Sequence, residues 1–304
     1  MRIIVTGNAG FIGSHLSLRL LNEGHHVIGI DNFNSDIYEA SFKEEYIEPL
    51  KPFTNTFVQH RQDILEYNDF GDSEIDVIIH FAGYANVRKS FLEPDKFVRN
   101  NLETTTYILH HMNPKTRLLY ASSSSVYGEN KKVPFEESDE LANIVSPYAL
   151  TKKMCEDMVA LYCQTKQIRA IGFRFFTVYG RPDMAVFQFM ERIRNGEPIT
   201  IFGYGEMVRD FTHVDDIVEG IYKSLFIYVS PGEHTIYNLG NNNPISLNQL
   251  ISHMEVALNK TAIVQYVNVP RGEVPITYAN IDKAKRELGF SPKIDIEKGL
   301  RMLL

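Results

Sequence analysis

Short runs of β-branched and apolar residues recur along this chain, at Arg2–Thr6, Val27–Ile30, Val77–Phe81, Arg117–Ala121 and Arg169–Phe175, and a helix-length stretch separates each from the next. That alternation predicts parallel β-α-β units with helices on both faces of the sheet. The expected fold class is therefore α/β, a doubly wound parallel sheet. After Gly180 the pattern changes to short scattered elements punctuated by Pro182, Pro198, Gly203 and Gly205. A helix starting near Val214 and a strand at Tyr237-Asn238-Leu239 follow. We read a first domain over residues 1–180, a segment near 212–240 returning to it, and a smaller α/β domain over 181–304. A length of 304 residues fits two domains at roughly 100–200 residues each.

Composition narrows the field. Charged residues at 23% and hydrophobic ones at 44% are ordinary globular values, which excludes a disordered, collagen-like or coiled-coil chain. A net charge of −7 without a long basic run argues against a nucleic-acid partner. No apolar stretch approaches the ~20 residues of a membrane span, and the start of the chain lacks the apolar region of a signal peptide. Cys155 and Cys163, eight apart in one expected helix, supply neither a disulfide framework nor a zinc site. Cytoplasmic residence is the expectation. No His pair brackets a Glu at metal-ligand spacing, His80 reads as a packed strand residue, and no metal is expected.

The first strand runs into Gly7-Asn8-Ala9-Gly10-Phe11-Ile12-Gly13 and then into a helical pattern over Ser14–Leu21. Glycines at 7, 10 and 13 permit a tight turn, a close approach of backbone to a pyrophosphate, and tight packing of helix on strand. A glycine triplet alone would serve any tight turn; the strand before and helix after give it meaning. The next strand ends in Asp31-Asn32, about 20 residues on, where a carboxylate accepts from both adenosine ribose hydroxyls and repels a 2′-phosphate. NAD is thus expected rather than NADP, in a first domain that binds the dinucleotide. Asp63-Ile64 follows a strand candidate at Thr56–Gln59 and is placed for the adenine edge, although an Asp there serves equally as a turn former.

Tyr148 and Lys152 stand four apart after Ser146-Pro147, so a helix beginning near Pro147 puts them on one face, a turn apart. A phenol titrates near ~10; a neighbouring ammonium and a nicotinamide cation would favour its phenolate and make it a base at neutral pH. The same spacing also suits a packed tyrosine beside a solvated lysine. A serine cluster upstream, Ser122–Ser125, ends a strand and offers the hydroxyl a partner.

These residues, taken with Thr6–Gly13, Asp31-Asn32, His80–Gly83 (H-F-A-G), Asn101, Tyr120–Gly128 (Y-A-S-S-S-S-V-Y-G), Arg174–Gly180 (R-F-F-T-V-Y-G) and Arg209–Asp216 (R-D-F-T-H-V-D-D), span nearly the whole chain. In this order and spacing the sequence resembles the extended short-chain dehydrogenase/reductase family, and within it the nucleotide-sugar 4-epimerases. The resemblance implies a Rossmann domain holding NAD through Gly7, Gly10, Phe11, Ile12, Gly13, Asp31, Asn32, Asp63, Ile64, Phe81, Ala82, Gly83, Asn101, Tyr148 and Lys152, and a C-terminal domain holding the nucleotide sugar. It also implies that Tyr148 takes the sugar O4 proton while hydride leaves C4, that Lys152 holds the nicotinamide ribose and lowers the Tyr148 pKa, and that Ser123 hydrogen-bonds the reacting hydroxyl. Return of hydride to the other face of a 4-keto sugar would invert C4.

Related 4,6-dehydratases carry Asp-Glu after the position matching Ser123, and decarboxylases carry Glu at the second of those positions. Ser124 and Ser125 stand here, and neither is an acid or base near neutral pH. Epimerisation is therefore favoured, with dehydratase or decarboxylase as the alternative and a catalytically silent NAD-binding protein as the second.

The tracts Ala82–Ser90, including Arg88, Arg174–Ala185, and Thr277-Tyr278-Ala279 look most like UDP-glucuronate 4-epimerases. In that branch the residue matching Arg181 faces the sugar carboxylate, which a guanidinium fork suits; the Pro-Trp-Gly that usually precedes it is absent. Thr277 replaces a bulky Tyr of galactose-type enzymes, and Ala85 replaces their Lys. UDP-glucuronate is favoured, with UDP-N-acetylglucosamine and UDP-glucose as alternatives. Family position assigns Arg209, helped by Arg271, to the diphosphate, Glu273 to the nucleotide ribose, and Ser124, Ser125 and Thr177 to substrate contact. A homodimer through helices near Pro94–Met112 and Pro147–Lys166 is also implied.

Overall fold

Runs of Ile and Val with no polar alternation form the middle of a sheet in the computed structural model, which describes residues 1–181 and 184–304. Its strands in chain order are β1 (Arg2–Thr6), β2 (His26–Ile30), β3 (Phe57–His60), β4 (Val77–His80), β5 (Arg117–Ser123) and β6 (Arg169–Phe175). Next come β7 (Thr177–Tyr179), β8 (Pro198–Phe202), β9 (Val208–Arg209), β10 (Phe211–His213), β11 (His234–Leu239), β12 (Ile245–Ser246) and β13 (Ile263–Val267). The main sheet has seven strands in the order β3-β2-β1-β4-β5-β6-β11, and parallel ladders join β3, β2, β1, β4 and β5. This is the Rossmann order, and its reversal between β1 and β4 leaves a crevice at the carboxyl ends of those strands. Ile3, Ile4, Ile78 and Leu119 are fully buried, as central strands covered on both faces require.

The helices are α1 (Phe11–Asn22), α2 (Ala40–Ile47), α3 (Val87–Leu92), α4 (Pro94–Phe97), α5 (Thr104–His111), α6 (Pro147–Lys166), α7 (Ala185–Asn195), α8 (Val214–Ser224), α9 (Leu247–Leu258), α10 (Asp282–Leu288) and α11 (Ile296–Met302). Ser146 starts α6 by accepting from the Ala149 amide, with Pro147 in its first turn, and Gln167 ends it in the left-handed region. The stretch expected as one helix over Pro94–Met112 is interrupted by a π-helical segment, Val98–Glu103, between α4 and α5. Such insertions concentrate at functional sites, and Asn101 lies inside this one.

Two compact units divide the chain. The first comprises Met1–Val126, Ser146–Arg174 and Ile221–Tyr237, with a core that includes Ile4, Ile78, Leu118, Val159 and Cys163. The second comprises Tyr127–Val145, Phe175–Gly220 and Asn238–Leu304. Its strands pair in twos, β7 with β10, β8 with β13 and β9 with β12, around Tyr179, Ile199, Phe211 and Met254.

Candidate active site

The glycine turn joins β1 to α1 where three backbones crowd together. Gly7 has φ +71°, and a Cβ there would stand 2.6 Å from the Ala82 amide nitrogen; a Cβ on Gly13 would stand 2.1 Å from the Gly7 carbonyl oxygen. Only glycine fits either place. Gly10 caps α1 without a side-chain bond, so the helix start meets its surroundings as bare backbone, and Phe11, Ile12 and Gly13 form its first turn. Phe81, Ala82 and Gly83 follow β4 against this turn, and the Thr6 hydroxyl accepts from the Ala82 amide. A cradle that a Cβ would fill, at a helix N-terminus, suits the pyrophosphate of a dinucleotide.

Asp31 is buried at the end of β2, where one carboxylate oxygen accepts from the Phe33 amide (2.8 Å) and from the Lys43 ammonium (2.9 Å). Lys43, itself buried, is a member of this site that sequence reasoning missed. It lies twelve residues on in a helix of weak apolar periodicity, so no local pattern marks it. Asn32 is exposed and donates to Asp63 (3.4 Å), while the other Asp63 oxygen caps the turn at Ile64 through the Leu65 amide. Asn101 has its amide committed to the protein: its oxygen accepts from the Tyr84 amide (2.7 Å), and its nitrogen donates to the Tyr84 carbonyl (3.1 Å) and the Thr151 hydroxyl (3.0 Å). That places Asn101 behind Gly83, whose Cβ would stand 2.8 Å from its oxygen.

β5 runs two residues beyond the expected Ala121, so Ser122 and Ser123 belong to the strand, and Ser124 and Ser125 open the turn after it. Tyr148 and Lys152, both buried, lie a turn apart on α6 as their spacing requires. The Lys152 ammonium donates to the Ala121 carbonyl (3.0 Å). Burial pushes the Tyr148 phenol above its ordinary range, and a hydrogen bond from Ser123 pulls it back. Burial pushes Lys152 down as well. His80 is buried between Thr6 (2.7 Å) and Thr105 (3.1 Å), and burial lowers its imidazole to about 3, so it is a neutral link in the scaffold. Arg88 is exposed on α3.

In the second unit, Arg209 donates to the Glu273 carboxylate (3.0 Å) and to the Val208 carbonyl (2.9 Å). Two residues assigned to different parts of a nucleotide thus form an ion pair with each other. The Thr277 amide donates to the Val208 carbonyl, which holds that residue beside β9, and its hydroxyl is buried with no hydrogen-bond partner among the described residues. A stranded hydroxyl of this kind fits a ligand contact. Asp210, also buried, accepts from the Asn241, Asn242 and Ala279 amides, and burial raises its carboxyl to about 6. It was not singled out in the sequence, although it ties Thr277–Ala279 to β9. Thr177 is half-buried at the start of β7, Arg181 half-buried in the loop after it, and Arg271 exposed; Pro182 and Asp183 lie outside the described residues. Among the described residues no group of three or more His, Cys, Asp or Glu is placed to hold a metal ion, and no helix is long and apolar enough to cross a membrane.

The chain is 38% identical to Protein CapI of Staphylococcus aureus, over 99% of this chain and 96% of that one. It is 37% identical to UDP-glucuronate 4-epimerase 1 of Arabidopsis thaliana, over 98% of this chain and 75% of the relative. The UDP-glucuronic acid 4-epimerase of Bacillus cereus, solved in complex with UDP-glucuronic acid and NAD, superposes with a TM-score of 0.92 at 34% identity, covering 99% of this chain and 97% of that one. A model of the NAD dependent epimerase/dehydratase family matches residues 3–240. That match takes in the glycine turn, the serine-ended strand and the Tyr148 helix together, and the chain belongs to the NAD-dependent epimerase/dehydratase family.

Proposed function

We propose that this protein is an NAD-dependent 4-epimerase of a UDP-sugar, with UDP-glucuronate as its substrate. The observation that carries the reading is the end of β5: Ser123 faces the Tyr148 phenol and lowers it, and the two residues that follow are hydroxyls rather than carboxylates. With a phenolic base and, at the two positions after Ser123, hydroxyls in place of carboxylates, such a site can move a proton at a sugar hydroxyl, and neither of those two serines takes a C5 proton or expels water near neutral pH. NAD, when bound, supplies a hydride acceptor that returns the hydride within the same turnover.

The first unit is assigned to NAD and the second to the nucleotide sugar. Gly7, Gly10 and Gly13 with the first turn of α1 would hold the pyrophosphate, Asp31 with Lys43 the adenosine ribose, and Lys152 the nicotinamide ribose. Tyr148 takes the proton from sugar O4 and later gives it back, while Ser123 orients the phenol and the reacting hydroxyl. Arg209 binds the diphosphate by exchanging its bond to Glu273, which is then free for the nucleotide ribose. Thr277 offers its hydroxyl to the sugar and leaves room at C2. Arg181 takes the carboxylate, and relatives acting on UDP-glucuronate support that choice of sugar.

Leu150, Met154 and Leu161 on α6 and Val98 in the π-helical segment are exposed apolar residues. They support a homodimer through these helices. Two free cysteine thiols support a cytoplasmic site of action.

The test is proton NMR of the protein with UDP-glucuronate, UDP-N-acetylglucosamine and UDP-glucose separately, following sugar H1 and H4. A C4 epimer from UDP-glucuronate is the expected result. A dehydrated 4-keto product, or CO2 with a pentose nucleotide, overturns the reaction; no turnover of any sugar with NAD bound leaves a silent binder.

A further inference from the structure

Two consecutive residues at the end of β5 grip α6, and the next faces it. The Ala121 carbonyl accepts from Lys152 (3.0 Å), the Ser122 hydroxyl donates to the Glu156 carboxylate (2.5 Å), and Ser123, whose hydroxyl donates to Ser125 (3.2 Å), faces the Tyr148 phenol and lowers it. Tyr148, Lys152 and Glu156 follow one another at i, i+4 intervals, so all three lie along one stripe of the helix. Arg174, near the end of β6, completes the lowest grip with a fork: its Nε donates to one Glu156 oxygen (2.9 Å) and its terminal nitrogen to the other (2.8 Å). The two side chains are only 5% and 6% exposed.

A buried ion pair is a poor device for stability alone, because stripping water from each charge costs several kcal/mol and a packed apolar pair often does as well. What a bidentate guanidinium–carboxylate pair adds is direction, since two parallel bonds fix rotation as well as distance. We propose that Glu156 and Arg174 are positioning residues: they set the register and rotation of α6 on β5 and β6, and thereby bring the Tyr148 phenol to Ser123 and the Lys152 ammonium to Ala121. The inference rests on Tyr148 and Lys152 being the reacting pair. A helix advances about 1.5 Å per residue, and displacement of a reacting group by about 1 Å can cost roughly a hundredfold in rate.

The phenol's own surroundings are Ser123 from β5, Cys155 from its helix, and the rings of Phe97 and Tyr84, the latter bonded to Asp36; Lys152 lies a turn further along the helix with its ammonium on the Ala121 carbonyl. Glu156 and Arg174 are not among the groups that act on it directly. A change in its titration on altering them therefore reports displacement.

The test uses the holoenzyme with Glu156→Met and Arg174→Met made together, which leaves no unpaired buried charge. The expected result is a melting temperature within a few degrees of wild type, a kcat lowered by about tenfold or more, and an unchanged KM. The Tyr148 titration, read as tyrosinate absorbance minus that of the matching Tyr148→Phe protein, should move to higher pH as the phenol leaves Ser123. A folded double variant with wild-type kcat, or with an unmoved titration, overturns the proposal. Should that variant not fold, Arg174→Lys keeps the charge and loses the fork; an alkaline shift there supports the proposal and an unmoved titration overturns it. The titration needs no turnover, so a wild-type protein inactive on every UDP-sugar would remove the epimerase reading while the displacement is still measured.

Discussion

In the first unit the groups assigned to the reaction already have their working partners, whereas in the second the groups assigned to the substrate are tied to one another or left waiting. Ser123 faces Tyr148 and lowers its phenol, and Lys152 rests on the Ala121 carbonyl. Arg209, by contrast, is bonded to Glu273, and the buried Thr277 hydroxyl has no partner among the described residues. The scaffolds differ in the same way: strand ends of a seven-stranded sheet against ladders of two strands each. Preorganised donors cost no rearrangement when charge develops, while a pair that must exchange partners spends part of its interaction on binding. Changes in the first unit should therefore act on kcat, and changes in the second on KM.

The largest expected effect is Tyr148→Phe. Removing the phenol assigned as base should lower kcat by about 10²- to 10⁴-fold with KM and melting temperature unchanged. A variant that still epimerises at the wild-type rate in the NMR assay would break the comparison at its first term. Next comes Arg209→Gln. Losing a charge-assisted bond to a diphosphate costs about 1.5–3 kcal/mol, so KM should rise roughly ten- to a hundredfold while kcat holds. A fall in kcat with KM unmoved would place Arg209 in the chemistry instead.

Ser123→Ala tests the preorganised side through pH. The Ser123 hydrogen bond pulls the Tyr148 phenol down, so its loss lets burial push the phenol further up. The working base is the phenolate; a higher pKa leaves less of it at neutral pH. The acid limb of the kcat–pH profile should move to higher pH, with a several-fold loss at neutral pH, in keeping with about 1 kcal/mol for one hydrogen bond. Rate should recover in alkaline buffer. An unmoved limb would mean that Ser123 serves the substrate hydroxyl alone.

The contrast also explains what was legible in the sequence. The strands β1 to β6, the glycine turn and the Tyr148–Lys152 face depend on neighbours within a few residues, and periodicity exposes them directly. Pairings between distant positions have no such signature: Asp31 with Lys43, Glu156 with Arg174, and Arg209 with Glu273 are fixed by how elements pack. Arg209 and Glu273 were each recognisable by family position, yet nothing in their spacing announced that they meet. The π-helical segment that carries Asn101 and turns its amide onto the Tyr84 backbone is a backbone geometry that no residue pattern here encodes.

The smallest expected effect compares two helix caps of the same chemistry. Ser146 caps α6 in the first unit by accepting from the Ala149 amide (3.1 Å), and Ser246 caps α9 in the second by accepting from the Gln249 amide (3.1 Å), with the Gln249 side chain bonding back. Replacing either by Ala should cost about 1 kcal/mol, read as a fall of a few degrees in melting temperature. The caps differ in what hangs from them. Tyr148 is the second residue after Ser146, so fraying of that turn moves the phenol against Ser123, whereas the first turn of α9 carries no residue assigned to the reaction. Ser146→Ala should therefore lower kcat several-fold and Ser246→Ala should leave it alone, at matched losses of stability. Equal effects on kcat would mean that turnover follows the stability of the whole chain, and the division between a preset unit and an exchanging one would fail at its most sensitive point.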